Sequence, residues 1–229
     1  MFTLHYAPDN ASLIVRIALE EAGLPYRTAL VDRETRQQDS AAYRALNPTG
    51  LIPALETPQG ALFETGAILL WLADTAPAAR LAPAPHDPAR GDFLKWLFFL
   101  SNTAHADLRQ IFYPEYFVPE AAFAGHNLLL IARMRQHYAL LDAACAAQPA
   151  LFAPPSLLAC YAATLLRWSA LYPEGQAQWL DLAAYPALAA MAAALETRPA
   201  TLRAASAEGL GPRPFTAPAP AAPPEGSAT

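Results

Sequence analysis

Apolar and polar residues alternate over Phe2 to Tyr6 ("FTLHY"), which predicts a short strand. Leu13, Ile14, Ile17, Ala18 and Ala22 then recur at helical spacing, and Gly23 with Pro25 supplies the stop. "YRTALVD" (Tyr26 to Asp32) reads as a second strand, and a polar helical stretch near Asp39 to Leu46 ends at "NPTG". "LIPALE" and "ALFE" are strand-like runs separated by "TPQG", which carries turn residues at close hairpin spacing. "TGAILLWLAD" is an apolar helix stopped before Pro77. In the order β-α-β-α-β-β-α, the first two strands should be parallel through a right-handed crossover. The last two should form an antiparallel hairpin.

The pattern changes at the Pro- and Ala-rich connector "APAARLAPAPHDP", a plausible boundary between two units. Beyond it the spacing is helical throughout, with helices expected near Pro88–Phe117, Pro119–Ala147, Ser156–Tyr172, Gln176–Ala183 and Pro186–Thr197. The reading is an α/β domain over residues 1–77, a linker over 78–88 and an all-α domain over 89–209. The tail 210–229 is dominated by Pro, Ala and Gly and is expected to be disordered, because it offers little apolar surface against its ordering entropy.

Composition narrows the function classes. Net charge is −5 and the 15 Lys and Arg residues are scattered, which argues against nucleic acid as a partner. "MFTLHY" lacks the basic flank and apolar run of a signal peptide, and no uninterrupted apolar stretch is long enough to span a bilayer. A cytoplasmic protein with no membrane partner is expected. Cys145 and Cys160 lie in helical patterns and read as small core residues of a reduced protein, with a disulfide or metal pair as the alternative.

Two segments carry the chemistry. In "NPTGLIPAL", Pro53 sits where a strand should begin, although proline removes a ladder hydrogen bond. A cis Ile52–Pro53 bond would account for it and turn the backbone N–H and C=O of Ile52 toward a ligand; a trans proline on an edge strand is the alternative. In "FETGAI", the start of a helix offers free N–H groups and a positive dipole end to a carboxylate. Thr65 adds a hydroxyl and Glu64 suits a cationic amine; the alternative is plain capping by Thr65. A peptide-like ligand with an α-amino acid end fits both segments.

At this point the chain resembles the glutathione transferase family, and within it the bacterial beta class. The resemblance is carried by "IALEEAGLPY", "LNPTGLIPAL", "WLADTAP", "LLRWSA" and "RP…SAEGL", and it covers nearly everything from Phe2 to Leu210. It implies a thioredoxin-like N-terminal domain followed by a C-terminal helical bundle, a homodimer, and glutathione as co-substrate with no metal. It also implies a detoxifying conjugation of the thiolate to small hydrophobic electrophiles. By the same resemblance Ile52 and Pro53 hold the cysteinyl part of glutathione, and Glu64 and Thr65 hold its γ-glutamyl head. His105, in "WLFFLSNTAHADL", lines the active site unless it is a packing histidine. Phe99, Phe112, Tyr113, Tyr116, Phe117 and Trp168 would wall the second-substrate pocket, although aromatic residues at helical spacing also serve as core.

Three departures matter. By ungapped register with "IALEEAG", Ala11 stands where the beta class has its cysteine, Ala106 replaces the lysine after the helix histidine, and Ala159 replaces a capping aspartate. A mixed disulfide at position 11 is therefore excluded. Glutathione brings its own thiol, so conjugation needs only a donor that stabilises the thiolate. Ser12 and Asn10 are the first candidates, with Tyr6 and His105 behind them. Ser12 as N-cap and Asn10 as turn residue are the structural alternatives; Asp9 is unsuited, because its charge opposes a thiolate. A non-catalytic glutathione or ligand binder, or an interaction module on the same scaffold, is the competing reading.

Overall fold

The computed structural model describes residues 1–173 and 178–228. Strands β1 (Phe2–Tyr6), β2 (Tyr26–Leu30), β3 (Ala54–Thr57) and β4 (Gly60–Phe63) form one sheet in the order β2-β1-β3-β4. β1 runs parallel to β2 across helix α1 (Ser12–Ala22), and β3 and β4 pair antiparallel as the turn signals at "TPQG" require. The short α2 (Ala41–Arg44) precedes β3, and α3 (Thr65–Thr75) closes this thioredoxin-like unit.

The helical part comprises α4 (Arg90–Phe99), α5 (His105–Phe112), α6 (Phe123–Ala147), α7 (Pro149–Phe152), α8 (Leu157–Leu171), α9 (Pro186–Glu196) and α10 (Pro199–Ala207). A π-helical turn, Leu100–Ala104, joins α4 to α5, where one long helix was expected. α8 is buried from Leu157 to Ser169, as its nearly all-round apolar sequence demands. Its polar members are satisfied: Thr164 Oγ1 donates to the Cys160 carbonyl at 2.9 Å, and Ser169 shares a 2.6 Å bond with the Tyr138 hydroxyl. α1 is buried on every side from Ser12 to Leu19, because α8 and α10 cover the face turned away from the sheet. Cys145 and Cys160 are buried free thiols, pushed up to about 11 and about 12 by burial.

Two expectations change. The helix expected over 176–183 does not form in its described part. Residues 178–181 are irregular and Leu182–Ala184 is a single tight turn, with the Asp181 carboxylate taking the Ala183 N–H that a helix would use; residues 176–177 lie outside the described residues.

The tail, expected to be disordered, packs against the body through residue 228. Leu210 and Phe215 are buried, and Glu196 accepts the N–H groups of Phe215 (3.2 Å) and Thr216 (3.0 Å) together with the Thr216 hydroxyl. Gly209 has φ +66°, and a Cβ there would lie 2.0 Å from the Ala222 carbonyl oxygen, so only glycine permits this return of the chain. Further along, Glu225 accepts the Tyr6 hydroxyl and Gly226 lies against Leu30 and Pro8.

Phe215 is 2 % exposed, so Phe215→Ala should cost about 3–5 kcal/mol in urea unfolding. A loss below about 1 kcal/mol would show the tail unseated.

Candidate functional site

The turn between β1 and α1 is held from below. Asp9 has φ +49° and is buried. Its carboxylate accepts Arg167 Nε and Nη2 (2.8 Å each), Trp168 Nε1 (2.9 Å) and the Tyr172 hydroxyl (2.8 Å). Arg167 is fully buried, and its remaining donors reach the carbonyls of Pro214 and Ala219 in the tail. The Asp9 N–H donates to Glu208 Oε2 at 2.8 Å, and Glu208 Oε1 stands 2.9 Å from Arg16 Nε. Burial pushes Glu208 up to about 7 against the opposing pull of Arg16.

Above this knot opens a cleft of about 1260 Å³ between the sheet domain and the helices. Asn10, Ala11, Ile52, Pro53, Glu64, Thr65, His105, Phe112, Tyr113, Tyr116, Phe117 and Trp168 all line it. The sequence reading thus placed most of its candidates on one cavity. The Ile52–Pro53 bond is cis, and among the described residues the N–H and C=O of Ile52 have no backbone partner. Glu64 is the N-cap of α3 with φ +68°, a conformation costing about 1–3 kcal/mol for a non-glycine residue and found at ligand clamps. Its carboxylate caps no N–H, and Thr65 is the first helical residue, not the cap. A Cβ at Gly66 would stand 3.3 Å from Ser101 in the π-helical turn, so this glycine lets α3 close on the helix that carries His105.

Two expected donors lie elsewhere. Ser12 is fully buried; its hydroxyl donates to the Ala7 carbonyl (3.0 Å) and accepts the Ala7 N–H (3.3 Å), closing the turn from inside. It is not the N-cap either, since Ala11 holds that position. The Tyr6 ring lies under Arg16, 4.4 Å from the guanidinium carbon, and its hydroxyl donates to Glu225. Burial and that carboxylate push Tyr6 up to about 12. Neither side chain lines the cleft.

Asn10 does. Its Oδ1 accepts the Ala11 N–H at 2.8 Å, which leaves Nδ2 without an acceptor among the described residues. His105 Nδ1 lies 2.9 Å from the Tyr161 hydroxyl, a partner absent from the sequence reading because only the fold brings α8 against α5. Burial, with the nearby Arg109 charge, pushes His105 down to about 4, so it is neutral at physiological pH. Burial also raises Tyr161, which keeps its proton. The Trp168 ring centroid is 5.4 Å from that of His105, so this residue both anchors Asp9 and walls the cleft. Arg33 and Arg109 also line it and were overlooked; the spacing His105 to Arg109, one helical turn, was the available signal.

Known proteins share this fold. Residues 11–75 match the family model described as glutathione S-transferase, N-terminal domain. A sphingomonad glutathione S-transferase solved in complex with glutathione is 32 % identical, with a TM-score of 0.74 over 91 % of this chain and 100 % of that one. Glutathione S-transferase GstA of Escherichia coli O157:H7 is 28 % identical over 210 residues, 90 % of this chain and 98 % of its own. Glutathione S-transferase GST-4.5 of Xanthomonas campestris pv. campestris is 33 % identical over 109 residues, 48 % of this chain and 52 % of that protein.

The knot below the turn has a pH signature. Between its ordinary 4.5 and about 7, Glu208 keeps its proton in the folded chain and loses it on unfolding, so its contribution to stability falls as pH rises. His105 acts oppositely: between about 4 and 6.5 only the unfolded chain takes up its proton, so its contribution grows with pH. In Glu208→Gln the first contribution is gone. Urea unfolding from pH 4.5 to 6.5 should then gain stability with pH more steeply than wild type, by up to about 1.4 kcal/mol per pH unit. Identical slopes would mean that Glu208 titrates as an exposed carboxylate.

Proposed function

The chain belongs to the glutathione S-transferase family, and from that premise we propose that it conjugates the glutathione thiolate to small hydrophobic electrophiles. The observation that carries this reading is that one cleft is lined by polar groups left without partners among the described residues: the backbone of Ile52, the Glu64 carboxylate and the Thr65 hydroxyl. The cysteinyl amide of glutathione pairs with Ile52. Its γ-glutamyl carboxylate meets the first turn of α3 and Thr65, and its amine meets Glu64.

The thiol then lies over the β1–α1 turn, with Asn10 Nδ2 as its donor. A thiol of ordinary pKa ~8.5 is mostly protonated at neutral pH, and lowering it by about two units takes ~2.7 kcal/mol. A hydrogen bond to a charged group supplies roughly 1.5–3 kcal/mol, so one amide is enough. The proton leaves to solvent. The thiolate attacks the electrophilic carbon, a C–S bond forms, and the leaving group departs with its electron pair. Neutral His105, with Nδ1 accepting from Tyr161, keeps an Nε2–H as donor to charge that builds on the electrophile. Phe112, Tyr113, Tyr116, Phe117 and Trp168 supply the apolar wall.

A non-catalytic glutathione binder is the second reading, favoured by Ala11 and Ala106, which bring no side-chain donor to the cleft they line. We place the protein in the cytoplasm as a homodimer, in keeping with the absence of a membrane-spanning helix among the described residues and with exposed Phe98, Leu128 and Leu129 on α4 and α6.

Calorimetric titration with glutathione followed by an aryl-halide conjugation assay separates enzyme from binder. Asn10→Ala should raise the pKa of the bound thiol by about 1–2 units and lower turnover at neutral pH by about the matching 10–100-fold. Ser12→Ala should leave that pKa where it is. A bound-thiol pKa unmoved by Asn10→Ala, read from the ultraviolet thiolate absorbance, would remove Asn10 from the mechanism.

A further inference from the structure

The charges along the cleft do not cancel. Among the described residues three carboxylates line it: Asp9, Asp39 and Glu64. Asp9 is consumed by Arg167, and Asp39 pairs with Arg36 (2.7 Å) and Arg44 (2.8 Å). Glu64 lies at the tip of α3, on the side where glutathione docks in the reading above.

That leaves two guanidiniums on the aromatic side without a carboxylate among the described residues. Arg33 donates to the Tyr113 hydroxyl (2.9 Å) and the Ala228 carbonyl (2.8 Å), both neutral. Arg109 has neither an acceptor nor an ion-pair partner among the described residues. It is half-buried, and its guanidinium carbon lies 5.9 Å from the centroid of the Phe117 ring. A guanidinium lying over an aromatic ring keeps its in-plane N–H fork free, the edge that binds a carboxylate through two parallel hydrogen bonds. Leaving that fork unpaired in a partly desolvated wall is unfavourable, and a bound anion relieves it.

Resting on the transferase reading, we infer that the second substrate is an electrophile with an apolar body and a carboxylate. Arg109 pairs with the carboxylate while Phe112, Tyr113 and Phe117 cover the body. Arg33, bonded to the Tyr113 hydroxyl, adds positive field to the same cleft. The pocket is thus selective within the hydrophobic class, since a neutral electrophile of the same shape leaves the Arg109 fork unpaired.

The test compares two glutathione conjugates of nearly equal size, S-(4-carboxy-2-nitrophenyl)glutathione and S-(2,4-dinitrophenyl)glutathione, in which a carboxylate replaces a nitro group. Calorimetry on the full chain should show the carboxylated conjugate bound about tenfold more tightly at low salt, with the preference shrinking as salt rises. Arg109→Gln should abolish the preference and Arg109→Lys should retain part of it. Equal affinities in wild type, or a preference that survives Arg109→Gln, overturns the inference. Binding needs no turnover, so a catalytically silent chain still answers the question. Failure to bind glutathione itself would instead count against the transferase reading.

Discussion

A buried ion pair, Asp9 with Arg167, fixes the geometry on which the site depends. Both side chains are out of solvent, and the carboxylate is met by four donors from α8 and its C-terminal end. Such a pair adds little net stability over an apolar contact, yet losing one member strands the other at a cost of about 3–5 kcal/mol. Its value here is positional. It pins the β1–α1 turn of the sheet domain to the central helix of the bundle, and Arg167 in turn organises the tail through two carbonyls. The cleft opens beside this pair, with Asp9 and Trp168 both on its wall.

The same constraint sorts the polar side chains of the turn. Asp9 points down into the knot, and its negative charge is neutralised before it reaches the cleft. Ser12 is drawn inward to bond Ala7 across the turn. Asn10, between them, lines the cleft with its amide donor unspent among the described residues. Position 11 carries only a methyl group, so in the proposed conjugation the nucleophile arrives with the co-substrate. Facing the turn, the π-helical segment before His105 interrupts an otherwise continuous helix, a distortion that recurs at functional sites.

Much of this was legible in the chain. Pro53 at the start of a strand breaks a local rule, as residues at functional sites do, and Glu64-Thr65 stood out as polar groups beside the free N–H groups of a helix start. The parallel β1–β2 pair and the β3–β4 hairpin follow from the hydrophobic periods and the turn signals, whereas the pairing of β1 with β3 comes from the fold. The role of Ser12 was not legible: hydroxyl and amide residues two positions apart in a turn look alike until the backbone decides which one faces in. Nor was the tail. Its composition signals disorder because apolar side chains are sparse, but its order comes from main-chain carbonyls that satisfy a buried arginine and from two anchors, Leu210 and Phe215. The Tyr161 partner of His105 depends on a contact between helices far apart in sequence, which no spacing rule encodes.

The central claim is that one cleft grips the main chain and the amino-acid end of glutathione while Asn10 meets its sulfur. A crystal structure of the chain grown with millimolar glutathione tests this directly. The account predicts the cysteinyl amide paired with Ile52, the γ-glutamyl head at Glu64 and Thr65, and the sulfur within about 3.5 Å of Asn10 Nδ2, a reach that allows for sulfur's longer contacts. A cleft without the tripeptide, or a sulfur whose nearest donor is not Asn10, would contradict it.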